Sequence, residues 1–442
     1  MHRSIFAIGL AVAATSGGAS HAGETDCSIS AFGAVADDGT DDTTAIQRAI
    51  DTCAPTGRRI VVPAGRFDVG HLRLRSGTDL YLAPNARLAA SLDLADYPPL
   101  PAIGGHRAWI YGEGVENVSI SGLGTFDGQA APVYRMMDEI IARDRNDPRA
   151  DHRVRFGLLL DRCRNTCIRD ITITDTQMYF VNVRQCDDVV IDGITLRAPP
   201  DSHNTDGLQI DDSHDVRVTN CDIAVGDDAI VTKARTRGVE RLLVNNCVIS
   251  SDDGAIKFGT ASHAGVRDSQ FSNIVITDSR YGVALFMIHG GEYVNNRFSS
   301  IQIATGGRHP RTYPIFVDVD DRMARDPGHR LGKIDGLTFS GIDIRTKGNV
   351  LIAGHPGSPI RNLTLSGVRI VTEAGQPIAP GDAKPRGNRR FDPVPGSPDL
   401  AGIDASVVIG HAEGLALDQV TVRGEAQRPD FHIEEVIDLV RD

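Results

Sequence analysis

From residue 168 onward the chain repeats one short spacing of apolar positions, in which the first, fourth and sixth residues are apolar. The units read Ile168/Ile171/Ile173, Ile191/Ile194/Leu196, Val218/Cys221/Ile223 and Val244/Cys247/Ile249. They continue at Phe271/Ile274/Ile276, Phe298/Ile301/Ile303, Phe339/Ile342/Ile344, Leu365/Val368/Ile370 and Leu417/Val420/Val422. Successive units start 23, 27, 26, 27, 27, 41, 26 and 52 residues apart, so 41 reads as one turn with an insertion and 52 as two turns. Helical repeats of this length need long runs at a 3.6-residue period. Here the runs are short and alternating, rich in β-branched residues, and split by Asn, Asp and Gly. Units that cannot bury an apolar face alone do so by stacking. The pattern predicts an all-β chain folded as a right-handed parallel β-helix, one turn per unit; a β-sandwich with coincidental spacing is the competing reading.

The start of the chain changes the period. Ala45, Ile46, Ala49, Ile50 and Cys53 share one helical face, and Asp41 or Asp42 is placed to cap it. An amphipathic helix there would plug the open end of the solenoid. Residues 1–22 read as an export signal: His2 and Arg3, an apolar stretch from Ile5 to Ala14, and Ser20-His21-Ala22 as the cleavage pattern, with cleavage near Ala22. The stretch is too short to span a bilayer, and no other run is apolar enough. Residues 23–442 are then expected to form a single catalytic domain, periplasmic or extracellular. Three segments leave the repeat: 128–155, with a helix expected over Val133–Ala142, 304–332 and 374–400. Segments of this size serve function or are disordered, and these are expected to wall a cleft.

Charge and cysteine usage narrow the partners. With 46 basic and 58 acidic residues the net charge is −12, which excludes nucleic acid as a partner class, since phosphate binding needs a basic footprint. Of seven cysteines, Cys27 and Cys53 bracket the first strand and helix and are the favoured disulfide in an oxidising compartment. Cys163 and Cys167 could close a small loop, while Cys186, Cys221 and Cys247 suit buried turn positions. No cysteine–histidine cluster has zinc spacing, and no metal or cofactor is expected.

The densest chemical signal lies on three successive turns: Ser202-His203-Asn204-Thr205-Asp206-Gly207, then Val225-Gly226-Asp227-Asp228-Ala229, then Ser251-Asp252-Asp253-Gly254-Ala255-Ile256-Lys257. Parallel strands stack ~4.8 Å apart, so Asp206 and Asp227, both just before an alternating strand, are expected at one corner on neighbouring turns. Crowded carboxyls cannot all ionise at their free pKa values. One stays protonated as a general acid while another activates water, the pair that glycoside hydrolysis requires. A ladder of turn-capping aspartates is the bland alternative.

These motifs carry a resemblance. His203-Asn204-Thr205-Asp206-Gly207 with Gly226-Asp227-Asp228 is similar to the signature of glycoside hydrolase family 28, the polygalacturonase family. The segment from Phe32-Gly33-Ala34 through Asp41-Asp42 to Val62-Pro63-Ala64-Gly65 resembles the opening of pectinase-like β-helices. The resemblance implies Asp227 as the acid protonating the leaving oxygen, with Asp206 and Asp228 holding and activating the water.

The chain also departs from that family. The usual Gly-His-Gly motif aligns with Asp253-Gly254-Ala255, so Gly254 takes the histidine position. Ala284 and Phe286 stand where the Arg-Ile-Lys motif would grip a substrate carboxylate. Gln209 replaces a frequent aspartate. Either the bound sugar is neutral or another cation substitutes. Lys257, sent outward by strand alternation, is the first candidate and Lys233 the second. His203, Asn204, Gln209, Lys233, Lys257 and Phe286 are thus the candidate substrate-binding residues, Phe286 as a stacking platform or as packing. The expected activity is inverting hydrolysis of a pectin-like polysaccharide or oligosaccharide. A polysaccharide lyase using Lys257 as base with calcium on the acidic cluster, and a non-catalytic carbohydrate-binding solenoid, are the alternatives.

Overall fold

The computed structural model describes residues 26–144, 146–147, 153–306, 309, 311–321, 323, 328–374, 400–424 and 427–442. The expected signal, 1–22, and the interior of the 374–400 segment lie outside them.

The architecture is a right-handed parallel β-helix. On its first sheet the strands Phe156–Asp161, Tyr179–Arg184, Leu208–Asp211, Ile230–Ala234, Gly254–Ser262 and Tyr281–Met287 stack one turn on the next, all parallel. A second sheet runs through Arg164–Arg169, Asp187–Asp192 and His214–Thr219. A third runs through Thr172–Thr174, Thr195–Arg197, Asp222–Val225 and Val248–Ser251. Further along, the second and third fuse into long bent strands, Gln270–Ser279, Glu292–Thr305 and Lys333–Thr346.

The residues that split the strands also bend the chain. Gly193, Asn220 and Asn246 take equivalent corners on consecutive turns with φ of 68°, 57° and 56°. Gly and Asn tolerate this left-handed region best. The repeated apolar triplets point inward and are buried, save Val420 and Val422 of the last, which are half-buried. The 52-residue interval is one turn with an insertion and not two turns, since Leu365 pairs directly with Leu417. Phe271, Phe298 and Phe339 stack in a column with centroids 4.9 and 5.1 Å apart.

Helix α1 (Thr43–Cys53) buries Ala45, Ile46, Ala49, Ile50 and Cys53 against the first turns. Asp42 is the N-cap residue but makes no side-chain cap bond, its carboxylate accepting instead from the Val35 amide; the Thr43 amide donates to Asp41 Oδ1 at 3.1 Å. Cys27 and Cys53 form the disulfide. Cys163 and Cys167 do not pair. The strand Arg164–Arg169 alternates, so Cys167 points away from the interior in which Cys163 lies next to Cys186. Cys186, Cys221 and Cys247 are buried thiols.

Helix α2 (Ala130–Arg143) occupies the first non-repeating segment and starts three residues before its expected position. Residues 304–332 are not all insertion, because Tyr313–Val319 is a strand of the first sheet. Among the described residues no helix is long and apolar enough to cross a membrane.

Candidate active site

The first sheet presents one outward residue per turn in a continuous row: Asn182, Gln209, Val231, Lys257, Ala284, Phe316, Leu351 and Val408. The three aspartates lie where the chain enters this sheet. Register there is held by backbone hydrogen bonds from Gly207 N–H to the Asp228 carbonyl and from Ala229 N–H to the Gly254 carbonyl, both 2.8 Å. Counting back from the Leu208–Ile230 pair places Asp206 opposite Asp228. The 21-residue spacing had suggested Asp227 as its equivalent. The ladder is offset by one, and Asp227 sits beside the pair.

Each carboxyl has a distinct setting. Asp206 is buried, and its Oδ2 accepts from Gln209 Nε2 at 2.7 Å. Burial lifts its pKa to about 6; Lys233 and the Gln209 bond pull downward and Asp227 pushes upward. Asp228 is buried too, and burial drives it well up against the pull of Lys257. Asp227 is half-buried, the one of the three that solvent reaches. Asn204 Nδ2, on a left-handed residue, lies 3.5 Å from its Oδ2. Its carbonyl accepts from Ser251 Oγ at 2.6 Å, which ties it to the next turn.

Lys257 points to this cluster as alternation predicted, but it does not reach outward to solvent. Its side chain is 11% exposed, and Nζ donates to Asp228 Oδ1 at 2.8 Å and Asp253 Oδ2 at 2.7 Å. Burial alone would lower its pKa, yet the two carboxylates raise it well above the ordinary lysine value. Asp253, half-buried, is held well below the usual carboxylate range by Lys257 and Arg280 against the opposing push of desolvation. Both members of the Lys257–Asp228 pair shift upward. The ammonium is the state we assign, because Asp253 holds it whether or not Asp228 carries a proton.

Carboxylate oxygens of Asp227, Asp228 and Asp253 lie within 4.8 Å of one another, close enough to hold a cation. The cation that Asp228 and Asp253 share here is the Lys257 ammonium.

Gly254 explains how the lysine fits. A Cβ at this position would come 3.1 Å from Asp228 Oδ1 and 3.1 Å from Lys257 Cδ. The lysine stem fills the space that a histidine side chain would need.

The other candidates divide. Lys233 Nζ donates to the Gly259 carbonyl at 3.0 Å and lies 3.9 Å from Asp228 Oδ2. Phe286 is half-buried, packed on Phe316 with centroids 4.8 Å apart, and the Lys257 ammonium lies 5.5 Å from its ring centre. His203 is exposed. Its carbonyl accepts from Arg153 at 3.2 Å and from Tyr134 of α2, and its ring is not brought to the aspartates by any contact among the described residues. Asp253, Arg280 and Ser251 complete the cluster without having been singled out as substrate residues. Asp253 was legible as a further acid but equally as a turn residue, and Arg280 becomes visible only once register sets it by Asp253 at 3.3 Å. Trp109 is structural, its indole nitrogen donating to the Val69 carbonyl at 3.0 Å.

The family model for glycosyl hydrolases family 28 matches residues 53–380. The chain belongs to glycosyl hydrolases family 28. An exopolygalacturonase of Zea mays is 31% identical over 207 residues, 46% of this chain and 47% of that protein. The chain thus spans about half the length of such curated relatives in the match. Among solved structures, the family 28 exopolygalacturonase of Yersinia enterocolitica superposes with a TM-score of 0.69 at 19% identity, covering 94% of this chain and 78% of that one. The exopolygalacturonase of Thermotoga maritima gives 0.66 at 18%, covering 92% and 93%. At these identities the structural likeness is one of fold.

Proposed function

We propose that this family 28 chain hydrolyses glycosidic bonds of a pectin-like polysaccharide or oligosaccharide with inversion. Asp227 is the general acid, and Asp206 and Asp228 hold and activate the attacking water. The observation that carries this reading is the contrast among the three carboxyls. Two are buried and face each other across neighbouring turns, while the third alone meets solvent, where a leaving oxygen can reach it. A buried carboxyl with a pKa near 6 loses its proton at mildly acidic pH and then serves as a base. Gln209 orients it. Lys257 is a positioning residue: it balances Asp228 and Asp253 so that the cluster keeps its geometry.

The lyase reading loses its base, because an ammonium held by two carboxylates does not accept a proton. Incubation with polygalacturonate and other pectic fractions, followed by proton NMR of the fresh product, tests the proposal. The expected product is a reducing end of inverted anomeric configuration. Unsaturated products absorbing in the ultraviolet, lost on adding a calcium chelator, would favour the lyase instead; an absence of turnover on every fraction would leave a carbohydrate-binding solenoid.

Export goes with this reading. A Cys27–Cys53 disulfide suits an oxidising compartment, and N-terminal sequencing of secreted protein is expected to start near Gly23.

A further inference from the structure

Five of the seven cysteines stand outside the Cys27–Cys53 disulfide, and four of those five fall into two pairs. Cys163 and Cys186 take equivalent places on neighbouring turns, bracketed by the partners Asp161–Arg184 and Arg164–Asp187. Cys221 and Cys247 do the same between the partners Thr219–Asn245 and Asp222–Val248. Each follows a left-handed corner residue, Arg162, Gln185, Asn220 or Asn246, with φ of 54°, 52°, 57° and 56°. The four side chains therefore leave the backbone in one direction, and all are buried. Only Cys167 is left over, on the outward side of its strand.

Contact within each pair is direct. The Cys163 amide donates to Cys186 Sγ at 3.2 Å, and the two thiols hydrogen-bond to each other. Cys221 and Cys247 repeat both contacts. Residues stacked on parallel strands stand ~4.8 Å apart, within the Cα separation of about 4.4–6.8 Å that a disulfide spans. The hydrogen bond from its partner thiol holds Cys163 below the ordinary thiol range, and Cys247 likewise. One member of each pair is thus biased toward the thiolate, the form that attacks a disulfide.

A hydrogen-bonding role alone does not explain the pairing. Ser213 continues the first column, and its Oγ accepts from the Cys186 amide at 2.9 Å. Yet Val115 precedes Cys163 in that column, and Ile194 and Ile274 flank Cys221 and Cys247 in the other. The fold accepts aliphatic side chains at these corners. What the pairs add is sulfur beside sulfur.

We propose that Cys163–Cys186 and Cys221–Cys247 are disulfide sites, each joining one turn of the solenoid to the next. Oxidation is exchange with an external disulfide such as oxidised glutathione. One cysteine attacks as thiolate and releases the first external thiol; the second cysteine attacks the mixed disulfide and releases the other. One S–S bond breaks, one forms, and both protons leave with the external thiols. Because the four sulfurs are enclosed in the folded solenoid, exchange belongs to folding, before the turns close over them. The second bridge ties the turn that opens with Asp206 to the turn that opens with Asp227 and Asp228, which fixes the two turns across which Asp206 and Asp228 face each other.

The full chain is refolded from its reduced, unfolded state in a glutathione redox buffer, then unfolded in guanidinium chloride with N-ethylmaleimide. Intact mass is expected to show one alkyl group, on Cys167, and digestion to give the linked peptides Cys163–Cys186 and Cys221–Cys247. Five alkyl groups, the count with Cys27–Cys53 alone closed, would overturn the proposal. Three would overturn it for the pair left alkylated, and any other pairing for the cysteines concerned. Protein made in an oxidising compartment and purified without reductant is counted in the same way, so a failure to refold leaves the result readable. Cys221→Ser with Cys247→Ser retains hydroxyl donors of the Ser213 kind and is expected to fold, with the Cys163–Cys186 link intact and again one alkyl group; loss of that link would overturn the independence of the two sites.

Discussion

Asn182, Gln209 and Lys257 stand on the earlier turns of the outward row, and Ala284, Phe316, Leu351 and Val408 on the later ones. The parallel ladder beneath them runs from one half to the other. In the later half, Tyr281, Ala284, Tyr313, Phe316, Leu351 and Val408 close over each other with Leu400, a second small core outside the solenoid. In the earlier half the same outward direction meets aspartates, lysines and a cationic cavity lined by Arg155, Arg184 and Arg235; Val231 and, one turn before Asn182, Leu159 are apolar exceptions. Inward positions answer to the core and have little freedom. Outward positions are free to build either packing or chemistry, and the two halves have taken opposite options.

Four experiments break or sharpen this contrast. The largest effect is expected from Asp227→Asn, which should lower kcat by about a thousandfold or more, the upper range for removing a general acid, with an unchanged melting temperature; a variant retaining a tenth of parental activity would remove Asp227 from the chemistry. Lys257→Met leaves buried Asp228 without its cation and Asp253 with Arg280 alone, and should cost about 3–5 kcal/mol in urea unfolding. In the apolar half, Leu351→Ala should cost about 2–5 kcal/mol through its cavity and leave KM and kcat alone, so a changed KM would mean that the second core shapes the site.

The smallest effect concerns pH. Asp206, at about 6 when folded against an ordinary carboxyl near 3.9 in the unfolded chain, binds its proton more tightly in the folded state. Its stabilising contribution is complete below about pH 4 and is lost as pH rises through about 6. Activity should move the opposite way, with an acidic limb of kcat/KM at about pH 6 as the base ionises. Gln209→Met removes a hydrogen bond to the ionised form, so the limb should move up by about one unit; a limb that stays in place would detach Asp206 from the pH profile.

Much of the fold could be read from the apolar spacing, because each triplet marks the interior of one turn. The helix face Ala45/Ile46/Ala49/Ile50/Cys53 and the Cys27–Cys53 bridge were equally legible. The strand Tyr313–Val319 was hidden inside an expected insertion because it is buried on both faces and shows no alternation. For the candidate site, motif spacing located Asp206, Asp227 and Asp228 and alternation pointed Lys257 at them. Register decided the rest. The one-residue offset between Asp206 and Asp228, the Asp253 partner of Lys257, and the gathering of Arg155, Arg184 and Arg235 from separate turns all depend on which residues oppose which across neighbouring strands, and no single stretch of sequence carries that information.

Gly254 also bears on which substitutions the site can accept. A histidine placed there would drive a new side chain into Asp228 and the Lys257 stem, while removing Lys257 first would leave buried Asp228 without its cation. Either order passes through a poor intermediate. The two positions are therefore coupled, each limiting what the other can hold.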